Sequence, residues 1–230
     1  MSDSNQLRRP SDERVALFAH LANSIPTVAR PMLLAVDGVD GSGKTTFADG
    51  LAAAIAASGR VSVVVHEDDF LNPRAIRYRL GRHSPEGFVA DTYDLASLES
   101  AVLAPLRPDG DRHIRRAVFD HRTDSAVRVP AEQVSEDSVV IVEGMFLHRD
   151  ELADAWDLSV FLHVPFTETA RRMAQRDGTS PDPNDLSMRR YVEGQRLYLA
   201  RSNPQAKAAF VVDNTDPQRP RLMRSGLAGR

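Results

Sequence analysis

The stretch Gly38-Val39-Asp40-Gly41-Ser42-Gly43-Lys44-Thr45 satisfies G-x-x-x-x-G-K-[ST] at every fixed position. What flanks it narrows the fold more than any other part of the chain. Before it runs Met32-Leu33-Leu34-Ala35-Val36, an apolar segment of the kind that forms a strand buried on both faces of a parallel sheet. After it, Phe47, Leu51 and Ile55 recur at four-residue spacing between Thr45 and Ala57, and Gly59 supplies a stop, so a helix follows. Strand, glycine loop and helix in this order let backbone N–H groups curl around phosphate oxygens, while the helix N-terminus adds its positive dipole. Lys44 would span the outer phosphates and the Thr45 hydroxyl would ligate Mg²⁺. Nothing follows G-x-G-x-x-G, so a dinucleotide site is not expected.

The rest of the chain alternates strands with helices. Val61 to Val65, Val139 to Val142, Leu158 to Val164 and Ala209 to Val212 read as further buried strands, and Ala117-Val118-Phe119 as a short one. Helices are expected from Ser11 or Asp12 through Ala22, from Leu95 to Leu106, over 167–177 and over 184–201, the last two separated by Gly178-Thr179-Ser180-Pro181-Asp182-Pro183. Residues 72–95 carry arginines, prolines and glycines without periodicity and read as a mobile, substrate-facing excursion. The expected architecture is α/β, a largely parallel five-stranded sheet with helices on both faces. Residues 1–30 read as an N-terminal extension and helix, 31–216 as one domain with a lid at about 172–190, and 217–230 as a loose tail.

A chain of 230 residues suits one large domain or a domain with a lid. Twenty-nine basic against 32 acidic residues leave a net charge of −3, too little positive field to hold a nucleic acid. The absence of cysteine removes disulfides, zinc–thiolate sites, iron–sulfur clusters and thiol nucleophiles. Asp3, Arg8, Arg9, Asp12, Glu13 and Arg14 break up the first thirty residues, and no apolar run reaches membrane-spanning length. A soluble, cytoplasmic protein without a nucleic-acid or membrane partner is therefore expected, its oligomeric state open between monomer and homo-oligomer.

Phosphoryl transfer needs a metal, positive charge and a group that orients or deprotonates the attacking hydroxyl. Asp68 and Asp69 follow a strand that should end at the same sheet edge as the glycine loop, where one could be the base or both could cap a turn. Glu143 closes the strand Val139 to Val142, either as a Walker B carboxylate for Mg²⁺ or as an exposed strand-end acid. Arg171, Arg172, Arg176, Arg189 and Arg190 flank the breaker, as an arginine lid or as a solvated basic face. Asp213-Asn214-Thr215 is open between an adenine-side loop and a plain turn, and the histidines, among them His66, His113, His121 and His163, read as surface or substrate-loop residues.

Over about residues 32–216 the order of parts resembles the uridine kinase family of P-loop kinases, whose relatives act on pantothenate, phosphoribulose and similar small alcohols. The resemblance is carried by Gly38 to Thr46, by Asp68-Asp69-Phe70 as the family's D-x-F stretch, by Glu143-Gly144, and by Arg172 and, with a one-residue shift, Arg176. It implies a P-loop NTPase kinase fold, ATP, Mg²⁺ and transfer of the γ-phosphoryl group to a primary hydroxyl. In that scheme Asp68 is the base, Lys44, Arg172 and Arg176 neutralise phosphate charge, and Thr45 with Glu143 positions the metal. Gly38, Val39, Asp40, Gly41, Ser42, Gly43, Lys44, Thr45 and Thr46 bind the nucleotide, and Asp68, Phe70, Tyr93, Phe119 and Arg190 face the acceptor. The implied acceptor is a nucleoside such as uridine or cytidine. Against that, the family's Phe-Asp-His-Pro stretch is replaced by Phe88-Val89-Ala90-Asp91, its base-contacting tyrosine and histidine by Phe119 and Asp124, and a lid glutamine by Arg190. The alternatives are a non-nucleoside alcohol such as pantothenate, a sugar or a sugar phosphate, and a non-catalytic nucleotide-binding regulator, which the lack of an N-K-x-D motif disfavours. Arg74, Arg77, Arg79, Arg82, Arg122 and Arg190 point to an anionic or highly polar acceptor.

Overall fold

The apolar run before the glycine loop forms strand β1 (Met32–Gly38), buried along its whole length. The computed structural model, which describes residues 11–226, sets it inside a six-stranded sheet. The other strands are β2 (Ser62–His66), β3 (Val139–Gly144), β4 (Leu158–His163), β5 (Phe210–Asp213) and β6 (Arg221–Ser225), in the spatial order β2-β3-β1-β4-β5-β6. The first five pair in parallel, and β6 runs antiparallel on β5. All five parallel strands therefore finish at one rim, where Gly38, His66, Gly144, His163 and Asp213 end them.

Alternate residues of β1 face opposite ways, as the pleat requires. Leu34 and Val36 join Phe18 and Leu21 of α1 (Asp12–Asn23) and Phe47, Leu51 and Ile55 of α2 (Lys44–Ala57) in one apolar layer. Leu33 and Ala35 join Leu98, Val102 and Leu106 in the other. Helix α1 starts at Ser11, whose Oγ accepts from Arg14 N at 3.1 Å. The expected helix over 95–106 forms, but widens into a π turn at Glu99–Leu103 and tightens to a 3₁₀ turn at Ala104–Leu106. Pro105 has no N–H to give the Ala101 carbonyl, which accepts from Arg115 N at 2.9 Å instead.

Two expectations are corrected. The stretch 72–95 is built rather than mobile: Arg74–Arg77 makes a helical turn and α3 (Pro85–Asp91) is capped by Ser84, whose Oγ accepts from Gly87 N at 3.0 Å. Ser84-Pro85 is a cap followed by proline at the first helical position, a start signal that the surrounding arginines obscure. The tail is not loose where it is described, because Arg221–Ser225 adds an antiparallel sixth strand, β6, to the five that were expected. Every residue of β6 is exposed, so it shows none of the apolar alternation that marks an inner strand. The loose readings of residues 1–10 and 227–230 fall outside the described residues. The remaining long helices are α4 (Phe166–Asp177) and α5 (Arg189–Ser202), on either side of the Gly/Pro-rich breaker.

Candidate active site

From the end of β1 the chain turns through Gly41 and Gly43, whose φ values of 75° and 88° are the left-handed conformation that only glycine adopts without strain. A Cβ on Gly41 would also lie 2.7 Å from the Thr169 carbonyl. Gly43 caps α2 without a side-chain hydrogen bond, leaving the first N–H groups of that helix for an anion. Lys44 Nζ donates to Val39 O at 3.1 Å across the loop, and Thr46 O accepts from Arg14 Nη2 at 3.3 Å. Distant residues fix the loop's outer side: Asp40 N donates to Gln195 Oε1 at 2.7 Å, and Asn214 Nδ2 donates to Ser42 O at 2.7 Å. Gly38, Val39 and Ser42 are buried beneath it.

Arg172 works from α4 onto the same loop. Its guanidinium donates to the carbonyls of Gly41 at 3.2 Å, Asn214 at 2.9 Å and Thr215 at 2.8 Å, while its Nε donates to Glu168 at 2.7 Å. The loop 213–215 is thus tied to the phosphate loop. Arg176, one turn further, pairs with Asp177 at 2.6 Å and Asp40 at 3.2 Å and stays largely exposed. The Asp177 hydrogen bond is the main reason its guanidinium is held above its ordinary pKa.

A cavity of 770 Å³ opens at the sheet rim, lined by Asp40, Gly41, Gly43, Lys44, Thr45 and Thr46 of the phosphate loop and by Asp68, Glu143, Arg172 and Arg176. Thr45 Oγ1 donates to Glu143 Oε1 at 2.9 Å, and His66 Nδ1 donates to the same oxygen at 2.7 Å. Burial pushes the Glu143 carboxyl up, but the His66 hydrogen bond, Lys44 and Thr45 together hold it below the usual range. The same hydrogen bond raises His66, ahead of the opposing effect of burial. A hydroxyl and an ionised carboxylate side by side are the hard oxygen donors that Mg²⁺ takes alongside phosphates and water. Among the described residues there is no cluster of three or more His, Asp or Glu that could hold a metal by itself.

The three acids after β2 point three ways. Asp68 lines the cavity and accepts from Tyr93 Oη at 3.0 Å. Asp69 faces a second hollow with His66 and Arg116, its carboxyl raised chiefly by burial. Glu67 is fully buried against Gly144, where a Cβ would collide with its carboxylate, and neither of its oxygens has a hydrogen-bond partner among the described residues.

Four of the residues expected against the acceptor stand behind the cavity wall. Phe70 is 0% exposed and belongs to the sheet's core, and Phe119 is packed against the aromatic cluster of Phe88, Phe146 and Tyr198. Tyr93 is buried and reaches the site only through its hydroxyl on Asp68; burial, then the Asp68 charge, pushes that phenol well above its ordinary pKa. Arg190, 4% exposed, donates to the carbonyls of Arg77 at 2.9 Å and Ser84 at 3.2 Å and lies over the rings of Tyr78 and Phe88. It fastens the 77–85 stretch to α5. Leu71, Thr92, Met145 and Tyr191, which the sequence did not single out, also line the cavity, and so does His121, expected as a surface or substrate-loop residue. The reading of the histidines as surface or substrate-loop residues fails for His148, which is buried and donates from Nδ1 to Asp37 Oδ2 at 2.6 Å, whereas His66 is part-exposed and binds Glu143.

Residues 34–197 match the family described as AAA domain, and the chain belongs to it. It is 27% identical over 161 residues to nicotinamide riboside kinase 2 of Mus musculus, covering 67% of this chain and 73% of that one. It is 29% identical over 222 residues to a pantothenate kinase of Bradyrhizobium diazoefficiens, covering 83% and 66%. The solved structure of a possible uridine kinase from Bacillus stearothermophilus aligns with a TM-score of 0.69 at 25% identity, covering 86% of this chain and 97% of that one. The resemblance to the uridine kinase family of P-loop kinases therefore holds, and with it the P-loop NTPase kinase fold and the family's use of ATP with Mg²⁺. No helix among the described residues is long and apolar enough to cross a membrane.

Proposed function

We propose that this AAA-domain chain transfers the γ-phosphoryl group of ATP to a hydroxyl of a small molecule, with Asp68 as the base. The observation that carries the reading is the single 770 Å³ cavity into which both the phosphate loop and Asp68 open. The acceptor oxygen bonds to the γ phosphorus as the bond from that phosphorus to the β–γ bridging oxygen breaks, the hydroxyl proton passes to Asp68, and ADP leaves. Tyr93, hydrogen-bonded to one Asp68 oxygen, fixes the carboxylate's orientation and leaves the other for the acceptor hydroxyl. Lys44 and Arg176 supply positive charge to the transferred group, Arg176 after exchanging Asp177 for phosphate oxygens. Thr45 and Glu143 would hold Mg²⁺, which would supply further positive charge to the phosphates.

Uridine or cytidine is the acceptor that the family resemblance puts first. A second reading, a non-nucleoside alcohol, is favoured by Asp91: the only acid of the Phe88-Val89-Ala90-Asp91 stretch is 3% exposed and taken by Arg79 at 2.6 Å and 3.0 Å. No carboxylate of that stretch is left to hold a ribose diol.

The test is ADP release from Mg·ATP across uridine, cytidine, other nucleosides, pantothenate, sugars and sugar phosphates. Asp68→Asn should lower kcat with the working acceptor by about 10²–10⁴-fold while binding of a non-hydrolysable ATP analogue is unchanged. Normal turnover by that variant would remove Asp68 as base. Tight nucleotide binding without release on any acceptor would favour the regulator.

A further inference from the structure

Resting on the kinase reading above, the geometry points to an acceptor that carries its own negative charge: we infer that Arg77 and Arg122 form an anion subsite in the cavity, for a carboxylate or phosphate group of the alcohol substrate. The structure sorts the arginines of this region by what they already hold. Arg79 is spent on Asp91 and Arg190 on two carbonyls, while Arg82 and Arg77 lie equally over the ring of Tyr78, at 5.7 Å. Of the arginines from residues 74 to 122, only Arg77 and Arg122 line the cavity.

These two are incompletely paired. Arg77 is 14% exposed, has one ionic contact, to Asp124 at 3.3 Å, and keeps a buried Nε without a partner. Arg122 has no hydrogen-bond or ion-pair partner for its guanidinium among the described residues, although its backbone is fixed by Asp120, which accepts from Arg122 N at 2.9 Å. His121 lines the same wall. Asp124, at φ 52°, joins the two segments: it accepts from Arg74 N at 3.0 Å as well as from Arg77, so the short hairpin bearing Arg122 is docked onto the turn bearing Arg77. The Nε of Arg77 is shut off from the cavity, so the terminal nitrogens, of which only Nη2 has a partner among the described residues, are the ones a ligand's oxygens can reach. Forked N–H groups match carboxylate and phosphate oxygens in pairs. A neutral nucleoside offers no such partner.

The experiment compares matched acceptors that differ in charge alone: pantothenate with pantothenol, glycerate with glycerol, and a sugar phosphate with its parent sugar, read as ADP release. The charged member of at least one pair should be turned over and its neutral partner should not. Arg122→Gln and Arg77→Gln should each raise the KM of that acceptor about 10- to 100-fold, whereas Arg74→Gln, outside the cavity, should leave it unaltered. Uridine or another neutral alcohol turned over as well as any anion, with a KM indifferent to both substitutions, would overturn the subsite and leave the kinase reading standing.

A second measurement does not need the true acceptor. With the phosphate loop filled by Mg²⁺ and a non-hydrolysable ATP analogue, inorganic phosphate or succinate should raise the melting temperature of the native chain and not that of Arg122→Gln. Which probe acts tells phosphate from carboxylate. Neither acting on the native chain overturns the subsite, while failure of the analogue itself to bind would instead count against the kinase reading.

Discussion

Glu67 stands immediately before Asp68, buried, with both carboxylate oxygens unpartnered among the described residues. Burial above all, and then the charges of Asp37 and Asp68, pushes its pKa well above the ordinary 4.5. Because the native value lies above the unfolded one, the protonated group's contribution is complete below 4.5 and is lost as pH rises through the native pKa. Glu67→Gln removes that titration. The variant and the native chain should melt at similar temperatures near pH 4, and the variant should melt higher at pH 8. Parallel pH profiles would show that Glu67 carries no such load. In the sequence Glu67-Asp68-Asp69 are three like acids, and only the 3₁₀ turn at Glu67–Phe70 sends one inward, one to the cavity and one to a second hollow. The phosphate loop, by contrast, was legible in full because its working parts are contiguous. His66 and Gln195 were not: their partners Glu143 and Asp40 lie 77 and 155 positions away.

Among the elements, α3 and α5 pack together through one missing side chain. A Cβ on Gly194 would sit 2.8 Å from Phe88 Cδ1 and 3.0 Å from Pro85 O. Gly194→Ala should therefore destabilise the fold by about 1–3 kcal/mol, overriding alanine's better helix propensity, as a lower denaturation midpoint would show. A gain in stability would mean that the two helices part without cost. On α4, the Arg171 hydrogen bond foremost, with Arg172 behind it, holds Glu168 at about 2. Its contribution is intact above 4.5 and lost as pH falls towards 2, so the acid limb of the melting curve should be shallower in Glu168→Gln. An unaltered limb would assign the acid loss to other carboxylates. The inner strands and α2 could be read from apolar pattern alone because burial on two faces leaves little choice of residue. Strand β6 and α3 could not, since one is an exposed edge and the other is defined by a cap and by its packing on α5.

At the scale of the molecule, the parallel strands β1 to β5 deliver their ends to one rim, and the site draws on residues from Gly38 to Asn214. Nucleotide bound at the loop should stabilise the whole sheet, by about 2.7 kcal/mol at a hundredfold excess over Kd. Through Asn214 and Arg172 the protection should reach β5. Hydrogen exchange with and without the ATP analogue would check this, slowing at 210–215 being expected and slowing confined to 38–57 contradicting it. The tie between Ser42 and Asn214 spans 172 positions, and that has a consequence for synthesis. A chain emerging from the ribosome exposes its glycine loop long before the residues that brace it, and contacts of such separation close late. A nascent chain that has not yet reached Asn214 should therefore gain less stability from ATP than the complete one.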